Sequence, residues 1–230
     1  SNELGGLLRA AGGPRFKKDV KDYLDYLIGK LWRSKVKVSM MKDATPEEIL
    51  AGKYDKVIFA TGATPVMPPI KGIDESFVVG ANDLLTNRKP YGKKVVVIGG
   101  GLVGCETACH CAEKADEVTI IEMLPDILLT VKHSKNNDQA LRQMMEDCKI
   151  KTITNAKVLE FKNNQVVYEQ DGKQMTIDAD TVAIAAGYRS NTALYEALSG
   201  KIDCAIVGDA EVPDSILNAV HHGFNSVRCI

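Results

Sequence analysis

Val95-Val96-Val97-Ile98-Gly99-Gly100-Gly101-Leu102-Val103-Gly104 is the stretch whose reading decides the fold. The apolar run from Val95 to Ile98 reads as a strand, and residues 102–114 read as a helix. Between them Gly99, Gly101 and Gly104 form Gly-x-Gly-x-x-Gly. In that context the spacing suits a dinucleotide. Gly99 makes the tight turn, Gly101 lets the backbone approach a pyrophosphate, and Gly104 lets helix and strand pack closely. Gly100, Leu102 and Val103 complete the turn, and the pyrophosphate is expected on the unsatisfied N–H groups at the helix start. Glu122 follows the next strand, Val118 to Ile121, 21 residues beyond Gly101. An acid at that place accepts hydrogen bonds from ribose hydroxyls and repels a 2′-phosphate. Met123, Leu124, Pro125 and Asp126 supply no cation, so NAD(H) is expected over NADP(H).

Upstream of the turn, residues 14–34 read as a helix with Phe16, Val20, Leu24, Leu27, Ile28 and Leu31 at helical spacing. Val36 and Val38 suggest a short strand. Thr45-Pro46-Glu47-Glu48 opens a turn of helix, and Lys56 to Ala60 reads as a buried strand running into Thr61-Gly62. Pro65 to Gly72, with three prolines and a glycine, reads as a linker. Downstream, Leu141, Met144, Met145 and Cys148 mark a helix. Four short β-prone runs follow, at 151–154, 158–161, 166–168 and 175–177. Asn163-Asn164 and Asp171-Gly172 punctuate them as turns, which suggests a small meander. Thr181 to Ala185 reads as a parallel-type strand ending at Ala186-Gly187, and Cys204 to Val207 as a last strand ending at Gly208-Asp209. Residues 213–228 then form a helix.

Composition narrows the function classes. The 230 residues carry 29 basic and 30 acidic side chains, so the net charge of -1 shows no bias toward nucleic acid or an anionic membrane. No apolar run approaches a bilayer span, and the N-terminus shows no signal sequence. Cytoplasm is the default expectation, with neither nucleic acid nor membrane as partner. None of the six cysteines forms Cys-x-x-Cys. Cys105, Cys109 and Cys111 crowd into one helix and read as packing residues. The four histidines, His110, His133, His221 and His222, are scattered and suggest no catalytic pairing. No metal ligands or catalytic residues stand out.

Four motifs occur in order: Ala60-Thr61-Gly62-Ala63-Thr64-Pro65, the GGGLVGCE run from Gly99 to Glu106, Ala186-Gly187-Tyr188-Arg189-Ser190-Asn191, and Ile206-Val207-Gly208-Asp209-Ala210. The set resembles the pyridine nucleotide–FAD reductases, in which an NAD domain is inserted into an FAD domain. Glu3-Leu4-Gly5-Gly6-Leu7 and the helix after it resemble one branch, the NADH:flavin oxidoreductases of the 2,4-dienoyl-CoA reductase and 2-enoate reductase type. The resemblance implies an α/β fold: a Rossmann-type parallel-sheet NAD domain with a small antiparallel meander, inserted in a truncated FAD-type α/β domain. Residues 86–187 would be the NAD(H)-binding domain, and 1–85 with 188–230 the partial FAD-type domain. It also implies Thr61 and Gly62 near FAD, and Asp209, beside Gly208, bonded to the FAD ribityl chain; a turn or capping acid before Pro213 is the other reading. Glu106 would orient nicotinamide, or serve as a first-turn acid favoured by the helix dipole.

The family carries a second, earlier glycine fingerprint for FAD, whereas this chain has one. Larger members also carry an N-terminal barrel with FMN and an iron–sulfur cluster. The expectation is therefore a module of a longer flavoprotein, inactive when isolated, in which hydride passes from NADH to FAD and on to FMN to reduce an activated C=C bond. An NAD(H)-binding module with no redox activity of its own is the alternative. A disulfide reductase relative would need a redox-active cysteine pair, and none is seen in this sequence.

Overall fold

The structure, a computed structural model, describes residues 1–129 and 135–228; His133 and Cys229 lie outside the described residues. In chain order the helices and strands are α1 (Leu8–Ala11), α2 (Lys18–Trp32), α3 (Pro46–Ala51), β1 (Val57–Phe59), β2 (Ala63–Pro65), β3 (Val78–Gly80) and α4 (Ala81–Leu85). Next come β4 (Lys94–Ile98), α5 (Leu102–Ala112), β5 (Glu117–Ile121), α6 (Lys135–Asp147) and β6 (Lys151–Ile153). The chain ends with β7 (Ala156–Lys162), β8 (Gln165–Gln170), β9 (Lys173–Asp178), β10 (Thr181–Ile184), β11 (Tyr188–Ser190), α7 (Ala193–Leu198), β12 (Cys204–Ile206) and α8 (Ile216–Arg228). Among the described residues no helix is long and apolar enough to cross a membrane.

Two compact units result. One comprises Leu8–Leu27 and Pro65–Gly187. Its five-stranded sheet has the order β3-β10-β4-β5-β6, every pair parallel. Alternation along a strand sends side chains to opposite faces. Val95 and Val97 accordingly join one core cluster with Cys105, Ala108, Cys109 and Ile120. Val96 and Ile98 join the other, with Phe161, Val166, Tyr168 and Val182. Both faces are covered, which is why β4 reads as an unbroken apolar run.

This unit begins at Pro65, where the sequence reading set a boundary at residue 86, and it also takes in Leu8–Leu27. The cause is β3, which the sequence left without an assignment. Val78–Gly80 aligns with Val182–Ile184 of β10, and α4 packs on α5 and α1.

The meander has three strands instead of four. Lys151–Ile153 pairs in parallel with Thr119–Ile121 and so completes the main sheet. Asn155, at φ 52, then turns the chain into β7. The two hairpins behave as their sequences suggest. Asn163 and Asn164 (φ 51 and 57) and Asp171 and Gly172 (φ 53 and 72) hold positive φ at both loop positions, as a two-residue type I′ turn requires.

The second unit comprises Ser1–Leu7, Ile28–Thr64 and Tyr188–Ile230. Its strands β1 and β12 run parallel, with Val57 opposite Cys204 and Phe59 opposite Ile206. Thr45 caps α3, accepting the Glu48 N–H while the Glu48 carboxylate accepts its own N–H, a reciprocal capping box. The strand expected at Val36 and Val38 does not form. No described strand pairs with it, and Val36 is 62% exposed. The last helix begins at Ile216, not 213, and its apolar residues Leu217, Phe224 and Val227 are exposed.

His110 is buried near the C-terminal end of α5, edge-on to Tyr91 with ring centroids 6.2 Å apart. Burial holds its pKa below the ordinary 6.5. The unfolded chain therefore takes up a proton at this site as pH falls through about 6.5 while the folded chain resists, so stability is lost on acidification. Thermal melts across that range are expected to show a falling midpoint, and His110→Leu is expected to flatten the dependence.

Candidate functional site

The glycine turn leaves the carboxyl end of β4, between β5 on one side and β10 on the other. The chain goes from β4 to β5 in one direction and returns through β10 in the other. Ligands of open α/β sheets bind at such a switch point. Register brings the strand ends together, with Ile98 opposite both Ile121 and Ile184.

Each glycine of the turn has a different reason to be glycine. Gly99 lies at φ +105, where a Cβ would stand 2.5 Å from the Ala185 carbonyl oxygen. A Cβ on Gly104 would sit 1.9 Å from the Gly99 oxygen, so close packing of helix on strand excludes it. Gly100 is enclosed by Ile127 and Glu122. Gly101 differs from all three. It has an ordinary φ of -72, and an added Cβ would meet no atom of the chain within 4 Å. The space a side chain would fill there is open, as a cradle for a bound group requires.

Hydrogen bonding shows which donors are available. The Gly100 N–H donates to Glu122 Oε2 at 2.5 Å, and its carbonyl accepts the Leu128 N–H at 2.8 Å and the Cys105 thiol at 3.5 Å. The Gly99 N–H donates to the Ile121 carbonyl. The first intrahelical bond of α5 is donated by Cys105 to Gly101, and no side chain caps the helix start. The N–H groups of Leu102, Val103 and Gly104 therefore face outward at the positive end of the helix dipole.

Glu122 is 8% exposed and already has work within the chain. Oε2 accepts from Gly100, and Oε1 accepts the Leu124 N–H at 2.8 Å. A carboxylate has about four acceptor positions, so two backbone bonds leave capacity for hydroxyl donors.

The first-turn reading of Glu106 is overturned. No acid occupies the first turn of α5; Glu106 lies a turn further in, 6% exposed, with Oε1 2.5 Å from Lys17 Nζ. Lys17 escaped the sequence reading because it stands 89 residues away. A short 3-10 turn, Arg15–Lys17, delivers it. Gly187, at φ +93, lies beyond β10, and its carbonyl accepts the Val66 N–H.

The remaining predicted residues belong to the other unit. Pairing of β1 with β12 brings Thr61-Gly62 and Gly208-Asp209 to the same carboxyl edge. The Thr61 hydroxyl donates to the Asn191 carbonyl at 2.6 Å, and the Asn191 amide donates back to the Thr61 carbonyl at 3.0 Å. A cavity of about 300 Å³ beside them is lined by Thr61, Asn191, Leu194 and Glu196, among others. Gly62 and Gly208 take positive φ, 68 and 62. Asp209 is half-buried, and its Oδ1 accepts a long bond, 3.4 Å, from the Asp214 N–H. The turn role therefore occupies one oxygen weakly.

Burial pushes the thiols of Cys105, Cys109 and Cys111 up to about 12, so they stay protonated near neutrality. Among the described residues no group of three or more His, Cys, Asp or Glu could hold a metal ion.

Comparison with known proteins places the chain in a family. Residues 15–217 match the pyridine nucleotide-disulphide oxidoreductase family. The chain is 39% identical to an NADH oxidase of Thermoanaerobacter brockii, over 96% of this chain and 35% of that protein. It is 33% identical to a cinnamate reductase of Clostridium sporogenes, over 99% of this chain and 34% of that protein. Among solved structures, a 2-naphthoyl-CoA reductase in complex with 2-naphthoyl-CoA superposes with a TM-score of 0.87 at 30% identity, covering 97% of this chain and 34% of that one. The chain thus spans about a third of the length of these relatives.

The two kinds of glycine separate experimentally. Gly104→Ala forces a Cβ onto the Gly99 carbonyl and is expected to cost about 1–3 kcal/mol, seen as a lower melting midpoint. Gly101→Ala is expected to melt as the parent does while losing dinucleotide binding in a titration.

Proposed function

Because this chain belongs to the pyridine nucleotide-disulphide oxidoreductase family, we propose that it is the NAD(H)-binding module of a flavin-dependent oxidoreductase. The observation that carries the reading is Gly101, a glycine that neither backbone conformation nor any neighbouring atom of the chain requires. A ligand backed against the turn would require it. The pyrophosphate would lie on the outward N–H groups of Leu102, Val103 and Gly104, with Gly99 and Gly100 shaping the turn behind them. Glu122 would accept the ribose hydroxyls with its remaining lone pairs. Preference for NADH over NADPH is supported by the lack of a cation in Met123–Asp126 and by the NADH oxidase among the relatives.

The unit containing Pro65–Gly187, and within it residues 86–187, would be the NAD domain. The other unit would contribute the flavin-facing residues. Thr61, Gly62 and Gly208 fit a flavin edge, since two take positive φ and all leave the carboxyl ends of paired strands. Asp209 would accept a ribityl hydroxyl, and Gly187 would border the nicotinamide. When bound, NADH supplies a hydride and the flavin accepts it, so the cofactors carry the redox chemistry. The chain's part is alignment. The Lys17–Glu106 pair, half-buried and charge-assisted, would fix the Glu106 carboxylate where it orients the nicotinamide.

The wider role follows the enoate-reductase branch. In a longer parent, electrons would continue from FAD to FMN and an iron–sulfur cluster in a barrel domain, and reduce an activated C=C bond. Two relatives named cinnamate reductase and 2-naphthoyl-CoA reductase, each about three times as long as this chain, support that reading.

Titrating the chain with NADH, then adding FAD and following the visible spectrum anaerobically, tests the proposal. Saturable NADH binding supports the module, and bleaching of bound FAD supports redox competence in this chain alone. Binding of NADH without bleaching fits a nucleotide-binding module, and no NADH binding sinks the reading. Glu122→Ala is expected to weaken NADH binding and narrow its advantage over NADPH. Equal losses for both nucleotides would remove the ribose assignment.

A further inference from the structure

We propose that Arg142 is a positioning residue for dinucleotide binding, acting from α6 to hold the loop after β5 in the conformation that locks Gly100. The inference rests on the nucleotide reading of the glycine turn. Arg142 lies 42 residues beyond Gly100 in sequence and belongs to no motif.

The guanidinium is committed on every side. Nη1 and Nη2 donate to the two oxygens of Asp126 at 3.1 and 3.0 Å, Nη2 also donates to the Ile127 carbonyl at 2.7 Å, and Nε donates to Asp138 at 2.8 Å. Asp126 Oδ1 in turn accepts the Ile127 N–H at 2.8 Å. The backbone of Ile127 is therefore gripped at both its N–H and its carbonyl. Arg142 holds the Asp126 carboxyl below the usual carboxylate range.

What this grip maintains is visible one residue on. Leu128 stands at φ 62, in the left-handed region that a branched aliphatic residue disfavours. In that conformation its N–H donates to the Gly100 carbonyl at 2.8 Å. The Ile127 side chain meanwhile fills the space over Gly100, where an added Cβ would come within 2.7 Å of it. Arg142 thus acts through Asp126 and Ile127 on Leu128, and through Leu128 on the Gly100 carbonyl. Glu122 holds the N–H of the same residue, in the preceding peptide. A lysine could not reproduce the arrangement, because only the planar fork reaches both carboxylate oxygens and a carbonyl together.

The test measures NADH affinity and melting midpoint together, on the full chain. Arg142→Gln is expected to raise the NADH Kd about tenfold, the scale on which outer partners of a bound group act. Asp126→Asn, which keeps the side chain's size, is expected to shift Kd in the same direction. The double variant should bind no more weakly than the worse single, because both break one connection. Arg142→Lys should recover part of the loss. A merely structural arginine would lower the melting midpoint and leave the Kd of the folded protein unmoved. That result in either single variant, or additive losses in the double, overturns the proposal. If Arg142→Gln does not fold, Asp126→Asn alone decides. If the unaltered chain fails to bind NADH, the nucleotide reading itself is lost and this inference with it.

Discussion

The bond from the Gly100 N–H to the Glu122 carboxylate is the constraint on which the site depends. It ties the turn after β4 to the end of β5, two parallel neighbours whose last residues, Ile98 and Ile121, stand opposite one another. A buried carboxylate is costly to hold unless hydrogen bonds replace its water. Here two backbone N–H groups do so, and the same bonds give the turn its shape. The consequence for ligand binding is selective. Gly100 is saturated at both its N–H and its carbonyl, so the amides open to a bound group are those further along, at the start of α5.

That turn can be held firmly because what lies beneath it is closely packed. Helix α5 is buried continuously from Gly104 to Cys111, an unusual condition for a helix of a soluble domain. The reason is its setting: β4 and β5 lie on one side, α4 and α6 on others. Small side chains are what such a site admits, which accounts for three cysteines and two alanines in eleven residues. The cysteines are therefore packing atoms, and their raised pKa values follow from the same burial. Only Cys105 also touches the turn, through its thiol on the Gly100 carbonyl.

How much could be read beforehand depended on the range of each signal. Asn163-Asn164 and Asp171-Gly172 were legible because a type I′ turn needs positive φ at two adjacent residues, a purely local demand. The glycine turn was legible for another short-range reason, the spacing of three glycines between an apolar strand and a helix. Lys151–Ile153 misled because three β-prone residues carry no mark of the sheet they join; the partner, Thr119–Ile121, is 32 residues away. Val78–Gly80 and Val36–Val38 are both three-residue stretches with two valines, yet one pairs with β10 and the other pairs with no described strand. Lys17 gave no signal because it is one of three cations in Arg15–Lys18, and Arg142 gave none because a cation between Asp138 and Glu146 of its own helix looks like a solvated face.

The sequence by itself determined where the two hairpins turn, that the runs ending at Ile98, Ile121 and Ile184 are strands, and that one turn has the glycine spacing expected of a dinucleotide cradle. Those are local matters of backbone stereochemistry and side-chain periodicity. Tertiary structure alone decided what each glycine is for. Gly99 and Gly104 are excluded from bearing a Cβ by carbonyl groups brought close in the fold, while Gly101 faces open space. It decided too that Glu122 and Glu106 are held by an amide and an ammonium far from them in the chain. Those partners become neighbours only when parallel strands align and helices pack across them, and no spacing rule along one segment encodes that proximity.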